Sequence, residues 1–310
     1  MTTAHLAAAG YEEQLATELG RAGVEVTHQH GRLHVVEGPE LTPAWAANTW
    51  HDAVELPAPS IAAAARTLRD IQRNWAVYAP TSAGRARLIA ERLPHVSARP
   101  LAIDELAPTA PLGSWTLLSD GRMLASARCS SAFPNGEIAL QEDKVGPPSR
   151  AYLKLWEALV RLGRRPAPGD QCLDLGASPG GWTWYLAQLG ASVIAVDKAP
   201  LATDVDALAN VSCHAGSAFA LDPADWSAAS WLFSDVVCYP RRMLALVRRW
   251  IDAGWPGTIV CTVKFQGDTH HDVSDALAAL PGAQLFHLHH NKHELTFVRV
   301  AAGAGAAADS

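Results

Sequence analysis

The segment Gln171–Trp182, QCLDLGASPGGW, constrains the fold of this chain more than any other stretch. Cys172 to Leu175 is short, apolar and bounded by glycine, which reads as a buried strand, and from Trp182 to Leu189 apolar residues recur at helical spacing. Between them lie Gly176, Ala177, Ser178, Pro179, Gly180 and Gly181, a bend that only small residues permit. Strand, small-residue bend and helix in that order make the ligand-holding loop of a parallel-sheet domain, because the helix N-terminus leaves backbone N–H groups free to meet a ligand.

Three kinds of cofactor use such a loop, and the residues separate them. A dinucleotide fingerprint needs glycine at its second position so that a pyrophosphate can approach the backbone, but Ser178 stands there and Pro179 follows. A phosphate-binding P-loop ends in Gly-Lys-Ser/Thr, whereas Trp182 and Thr183 follow Gly181. S-adenosylmethionine has no pyrophosphate and tolerates a Ser-Pro turn. Further on, Ser192–Asp197 is a second apolar run that ends in an acid, the placement that accepts hydrogen bonds from ribose hydroxyls. The loop and Asp197 together favour S-adenosylmethionine over a dinucleotide; a glycine-rich turn that holds nothing is the plain alternative.

A chain of 310 residues, 49% hydrophobic and 18% charged, has material for two folded domains. No apolar run is long enough to span a bilayer, and the N-terminus lacks the basic-then-apolar order of a signal peptide, so a cytoplasmic protein with no membrane partner is expected. The five cysteines are odd in number and form no CxxC pair, which indicates neither a disulfide framework nor a zinc site. Buried, reduced thiols are expected. A net charge of -6 argues against indiscriminate nucleic-acid binding. Locally, however, Arg66, Arg69, Arg73, Arg85, Arg87, Arg92 and Arg99 face only Asp70 and Glu91, which suits either a phosphate-contacting face or a solvated helix surface.

Along the chain, residues 1–145 read as a small α+β module with its connector, 146–300 as an α/β domain and 301–310 as a disordered Ala-Gly tail. In the first part, Tyr11–Gly20, Ile61–Arg73 and Ala83–Leu93 pattern as helices, Val24–Val36 as a hairpin turning at Gly31, Trp75–Tyr78 as a strand, and Trp115–Cys129 as two strands around Asp120-Gly121. In the second, a helix capped by Ser149 runs to Val160. Strands follow at Cys172–Leu175, Ser192–Asp197, Val211–Ala215, Trp231–Val237 and Thr258–Phe265, alternating with helices at Arg241–Ala253 and Asp272–Leu280. Leu285–His290 and Leu295–Val300 should close a mostly parallel, Rossmann-like, seven-stranded sheet as an antiparallel pair turning at Asn291–Glu294.

Ligands of an open α/β sheet bind beyond the carboxyl ends of its strands. Asp235 and Lys264 each stand at such an end, where a charge is costly unless paired, so they imply a shared site. Glu294 at the hairpin turn and Lys154, one helix before the first strand, are placed to complete it. A lysine beside an apolar helix stripe is more often a snorkelling surface residue, which is the competing reading of Lys154.

The set Lys154, Asp235, Lys264 and Glu294 resembles the K-D-K-E tetrad of FtsJ-type ribose 2'-O-methyltransferases. More narrowly, Pro148–Leu155, Asp174–Thr183, Val196–Pro200, Ser234-Asp235, Val263-Lys264 and His293–Thr296 resemble the RlmM-type members, which methylate a cytidine ribose of 23S rRNA. The resemblance covers about residues 128–300. It implies an S-adenosylmethionine-dependent enzyme with an RNA substrate, a cofactor held by Ser178, Pro179, Gly180, Gly181, Asp197 and Asp235, no required metal, and a THUMP-like RNA-binding module in the first half. The family has serine where Ala151 stands and an acid where Ser217 stands, so fewer side-chain contacts to the cofactor are expected.

The implied mechanism has independent support. A ribose hydroxyl is a weak acid and needs a base, or a field that favours its alkoxide. A lysine with a pKa of about 10.4 is no base at neutral pH, but a second lysine and partial desolvation lower that value, which would make Lys264 the proton acceptor with Lys154 supplying charge. Four alternatives compete: a base methyltransferase with Cys238 as nucleophile, an RNA-binding protein that keeps the fold without turnover, a metal site from His287, His289, His290 and His293, and a dinucleotide oxidoreductase.

Overall fold

The computed structural model describes residues 1–118 and 121–300, and these fall into two compact units that divide between Leu140 and Gln141. The Asp120 side of the expected hairpin turn and the tail 301–310 lie outside the described residues.

The first unit runs β1 (Thr2–Ala7), α1 (Glu12–Arg21), β2 (Val26–His30), β3 (Leu33–Glu37), β4 (Ala46–His51), β5 (Val54–Pro57), α2 (Ile61–Ile71), β6 (Trp75–Val77), α3 (Ala83–Ala90), β7 (Gly113–Leu117), β8 (Arg122–Ser126) and β9 (Arg128–Cys129). These strands form a five-stranded sheet in the order β2-β3-β1-β4-β9 and a four-stranded sheet in the order β5-β8-β7-β6. The helices, the β2–β3 hairpin, and β6 to β8 lie where the patterns predict them. Strands β1, β4 and β5 were not expected. β1 reads TTAHLA, and because Thr3 to Ala7 are all buried it shows no alternation to betray a strand. It is nevertheless the centre of its sheet, paired with β3 on one side and β4 on the other. The hydrophobic core of this unit includes Ala64, Leu68, Ile89, Trp115 and Met123.

The second unit runs α4 (Tyr152–Leu162), β10 (Gln171–Leu175), α5 (Gly181–Gln188), β11 (Ser192–Asp197), α6 (Thr203–Asp206), β12 (Val211–Ala215), β13 (Trp231–Ser234), α7 (Pro240–Asp252), β14 (Thr258–Lys264), α8 (His271–Ala278), β15 (Ala283–Phe286) and β16 (Glu294–Arg299). Its seven strands are ordered β12-β11-β10-β13-β14-β16-β15. The first five are parallel and β16 is antiparallel to both its neighbours, so the doubly wound sheet with a closing hairpin forms as the pattern predicts. The central strands have both faces covered; every residue of β13 is buried, as is β14 up to Val263. Helix α7 shows the matching logic on its own surface. Proline at its first position suits a helix start, and Met243, Leu246, Val247 and Trp250 form its buried stripe while Arg241 and Arg248 face water.

Three boundaries differ from expectation, and two of them matter for the site. Helix α4 starts at Tyr152 rather than Ser149, and its N-cap, Ala151, makes no side-chain cap bond; residues 149–151 form a preceding turn. β13 stops at Ser234, which leaves Asp235 just past the strand end. β15 stops at Phe286 instead of running to His290, because the N–H groups of His289 and His290 are taken by the Glu157 carboxylate and are lost to the ladder.

Candidate active site

Parallel register brings four strand ends to one rim: Leu175 pairs with Val196 on one side and Ser234 on the other, and Ser234 pairs with Cys261. The loop Gly176–Gly180 leaves this rim from β10. Gly176 has φ 80°, and a side chain there would bring its Cβ within 2.6 Å of Val236 Cβ, so glycine is required twice over. Gly180, with φ 110°, is the N-cap of α5, and a Cβ on Gly181 would lie 2.4 Å from Ser149 Oγ. The Ser178 N–H donates to Asp197 Oδ2 (3.0 Å) and the Ala199 N–H to Oδ1 (2.9 Å). Both bonds fix the carboxylate and leave lone pairs for ribose hydroxyls.

Beside Asp197 opens a cleft of about 180 Å³ lined by Gly176, Val196, Ser217, Phe219, Val236 and Arg242 among others. Arg242 lies over the Phe219 ring at 3.8 Å. Sequence reasoning missed Phe219, Val236 and Arg242, since none sits in a recognisable motif and only the meeting of β12, β13 and α7 assembles them. Ser217, which replaces an acid, lies in this cleft, where its Oγ accepts the Phe219 N–H. Ala151 offers its carbonyl to Trp182 Nε1 (2.9 Å), which ties the start of α4 to the start of α5. The cradle at Gly176, the fixed Asp197 carboxylate and the adjoining cleft suit the adenosine part of S-adenosylmethionine.

Beneath the loop, Asp174 is fully buried and accepts a hydrogen bond from Thr183 Oγ1 (2.6 Å). Burial pushes its pKa up to about 7 despite that bond. An acid raised in the folded state binds a proton on folding, so its contribution is fully present below the unfolded value and is lost as pH rises through about 7. Asp174→Asn keeps an acceptor for Thr183 and removes the titration. The variant should therefore gain stability over the wild type between pH 5 and pH 8, by on the order of 2 kcal/mol, in urea midpoints measured at the two pH values.

On the other side of the rim the four predicted polar residues meet. Lys154 Nζ donates to Asp235 Oδ1 (2.9 Å), to Asp235 Oδ2 (3.0 Å) and to Glu294 Oε1 (3.1 Å). Lys264 Nζ lies 3.0 Å from Asp235 Oδ1 and also donates to the Asp235 backbone carbonyl. Side-chain exposure is 14% for Lys154, 16% for Asp235, 19% for Lys264 and 8% for Glu294, so the cluster touches solvent along one edge only. Lys154 is thus a paired, half-buried residue and not a snorkelling one. Helix packing fixes it: Tyr152 meets Trp184 of α5 edge-to-face with ring centroids 5.3 Å apart, and Trp156 stacks on Tyr185 of the same helix at 5.9 Å. Lys264 and Glu294 are direct cross-strand partners in the β14–β16 ladder.

Burial pulls the Lys154 pKa down, but Asp235 and Glu294 outweigh it and the value is raised above that of a free lysine. Its three carboxylate contacts consume all three N–H donors of an ammonium, which leaves no lone pair. Lys264 makes two contacts, both to Asp235, one fewer than Lys154. The two lysines are therefore not equivalent.

The remaining candidates are distributed elsewhere. Cys238 is buried, and burial holds its thiol above the ordinary pKa against the opposing pull of Arg242 and Lys264. The four histidines are engaged in hydrogen bonds: His287 Nε2 meets the Lys292 carbonyl, His293 Nε2 meets Thr269 Oγ1, and both the His289 N–H and His290 Nδ1 meet the Glu157 carboxylate.

Residues 147–277 match the family model of FtsJ-like methyltransferases. The chain is 35% identical over 172 residues to ribosomal RNA large subunit methyltransferase M of Halorhodospira halophila, covering 53% of this chain and 50% of that protein. It is likewise 35% identical over 196 residues to the protein of the same name from Alkalilimnicola ehrlichii, covering 58% and 54%. The chain thus spans about half the length of the curated relatives it matches. Among solved structures, a putative hemolysin from Lactococcus lactis superposes with a TM-score of 0.40 at 21% identity, covering 50% of this chain and 89% of that one. Residues 147–277 are thus similar to the FtsJ-like methyltransferases, and the cofactor this points to is S-adenosylmethionine, which the cradle, Asp197 and the cleft beside them suit.

Proposed function

We propose that the protein is a ribose 2'-O-methyltransferase of large-subunit ribosomal RNA, acting on a cytidine of 23S rRNA through Lys154, Asp235, Lys264 and Glu294. The observation that carries this reading is the asymmetric pairing of the two lysines around Asp235. S-adenosylmethionine supplies an electrophilic methyl group when bound, with Ser178, Pro179, Gly180, Gly181, Asp197 and Asp235 as its holding residues. Lys264, the amine with the fewer contacts, accepts the proton of the 2'-hydroxyl. Lys154, kept charged by its carboxylates, stabilises the developing alkoxide. Asp235 orients both amines and Glu294 fixes Lys154 from the far side.

The relatives named ribosomal RNA large subunit methyltransferase M support an RNA substrate for this chain. We assign RNA contact in the first unit, as a THUMP-like module over residues 1–145, to the face around α2 and α3. There Arg66, Arg69, Arg73 and Arg92 are exposed, whereas Arg87 and Arg99 pair with Glu91 and Glu105. A cytoplasmic location follows from that substrate; among the described residues no helix is long and apolar enough to cross a membrane.

Calorimetry with S-adenosylmethionine and with NAD, followed by methyl-transfer assays of Cys238→Ala, tests the reading. Binding of the former alone, and activity of the variant within about twofold of wild type, are expected, since a buried thiol with a raised pKa is a poor nucleophile. Loss of turnover in Cys238→Ala would favour base methylation instead.

A further inference from the structure

Three residues after Lys154, on the same side of α4, stands Glu157, whose side chain has no solvent exposure at all. A carboxylate so placed is costly unless every lone pair is used. Here they are used. Oε1 accepts the His289 N–H (2.8 Å) and Arg161 Nε (3.0 Å), while Oε2 accepts the His290 N–H (3.0 Å) and faces His290 Nδ1 (2.8 Å). Burial alone pushes its pKa up, but the His290 ring, the Arg161 charge and the His289 N–H outweigh it and hold the group below the ordinary carboxylate value. Arg161, His289, His290 and the nearby His287 are the titratable groups around it.

The segment that Glu157 grips leads directly into Glu294. Within it, the Asn291 amide donates to the Glu294 carbonyl (3.2 Å) and to Thr296 Oγ1 (3.3 Å), His287 Nε2 meets the Lys292 carbonyl (3.0 Å), and the Lys292 N–H donates to Glu294 Oε1 (3.3 Å). Glu294 then reaches back to Lys154 on the helix that carries Glu157. The loop of contacts is closed: α4, the 287–293 turn, Glu294 and α4 again.

We infer that Glu157 is a positioning residue that sets where Glu294 sits against Lys154, and so, given the methyl-transfer reading above, sets the charge on which the acceptor oxygen depends. Neither Glu157 nor the 287–293 turn touches the reacting atoms in this account. The turn acts through Glu294.

Glu157→Gln in the full chain tests the inference, because a carboxamide keeps the size but puts an NH2 donor in place of one oxygen, so that it faces one of the two N–H groups now held by Oε1 and Oε2. Amide hydrogen exchange over residues 288–293 should rise by about tenfold or more, with β14 unchanged. Lys154, followed by NMR of isotope-labelled lysine, should titrate at lower pH, as it should in Glu294→Gln. Methyl transfer should lose about 10- to 100-fold in kcat with the KM for S-adenosylmethionine changed less than about twofold. The alkaline limb of the pH profile should move to lower pH in both variants, and the double variant should be no worse than Glu294→Gln alone. Glu157→Asp, which retains both acceptors, should recover part of the loss. Unchanged exchange over the turn together with an unchanged Lys154 titration overturns the inference, even if melting temperature falls. If the wild type transfers no methyl group to ribose, the functional reading fails separately, and the exchange and lysine titration still decide whether Glu157 positions Glu294.

Discussion

Lys264→Ala is expected to lower the methyl-transfer rate by about 10³-fold or more while affinity for S-adenosylmethionine changes by less than about threefold. Lys264 is the amine in the cluster with the fewer carboxylate contacts, and it sits at the end of β14 outside the Gly176–Gly181 loop. On the proposed mechanism its removal takes away the proton acceptor and leaves the Gly176–Gly181 loop in place. Lys264→Arg should be nearly as inactive, because a guanidinium does not deprotonate at any relevant pH. Lys154→Arg, by contrast, keeps the charge that the position requires and should retain more activity than Lys264→Arg. Single-turnover assays and calorimetry on the same preparations separate the two effects. Equal losses in both arginine variants would mean that the lysines share one role.

Asp235→Ala is expected to cost both turnover and stability. Its carboxylate is the common partner of Lys154 and Lys264, so its loss leaves both amines without their shared acceptor and Glu294 as the remaining acid in contact with Lys154. Breaking a largely buried pair by removing one partner costs about 3 kcal/mol. A slight solvent edge keeps the effect at the lower end of that range. The change should appear as a lowered urea midpoint at pH 7. Asp235→Asn should be milder in stability, since the amide oxygen still accepts one hydrogen bond, yet comparably inactive because neither amine is then held by a charge.

The legibility of this fold from sequence follows its burial pattern. Strands β10, β13 and β14 are covered on both faces and read as short apolar runs between glycines and polar turns, and α7 carries its stripe in plain view. β1 is hard to read because a segment buried on both sides shows no alternation and its two alanines lower its strand propensity. The site divides in the same way. Lys154, Asp235, Lys264 and Glu294 could be read because charge at the end of an apolar strand, or beside an apolar helix stripe, is out of place locally. Phe219 and Arg242 are ordinary residues in ordinary places whose meeting depends on the tertiary fold. Glu157 fell between these cases: a glutamate among Leu155, Trp156, Ala158 and Leu159 was a local anomaly of the same kind as Lys154, but its partners, the N–H groups of His289 and His290, carry no side-chain signature in the sequence.

The most direct test of the central claim uses the chemistry of the ribose itself. The full chain is incubated with methyl-labelled S-adenosylmethionine and 23S rRNA from a strain lacking the corresponding gene, and the RNA is then hydrolysed in alkali. A 2'-O-methyl group blocks cleavage of the adjacent phosphodiester, so the label should remain in an alkali-resistant dinucleotide and should reside on 2'-O-methylcytidine after complete digestion. Label released in mononucleotides and carried on a base would contradict the account.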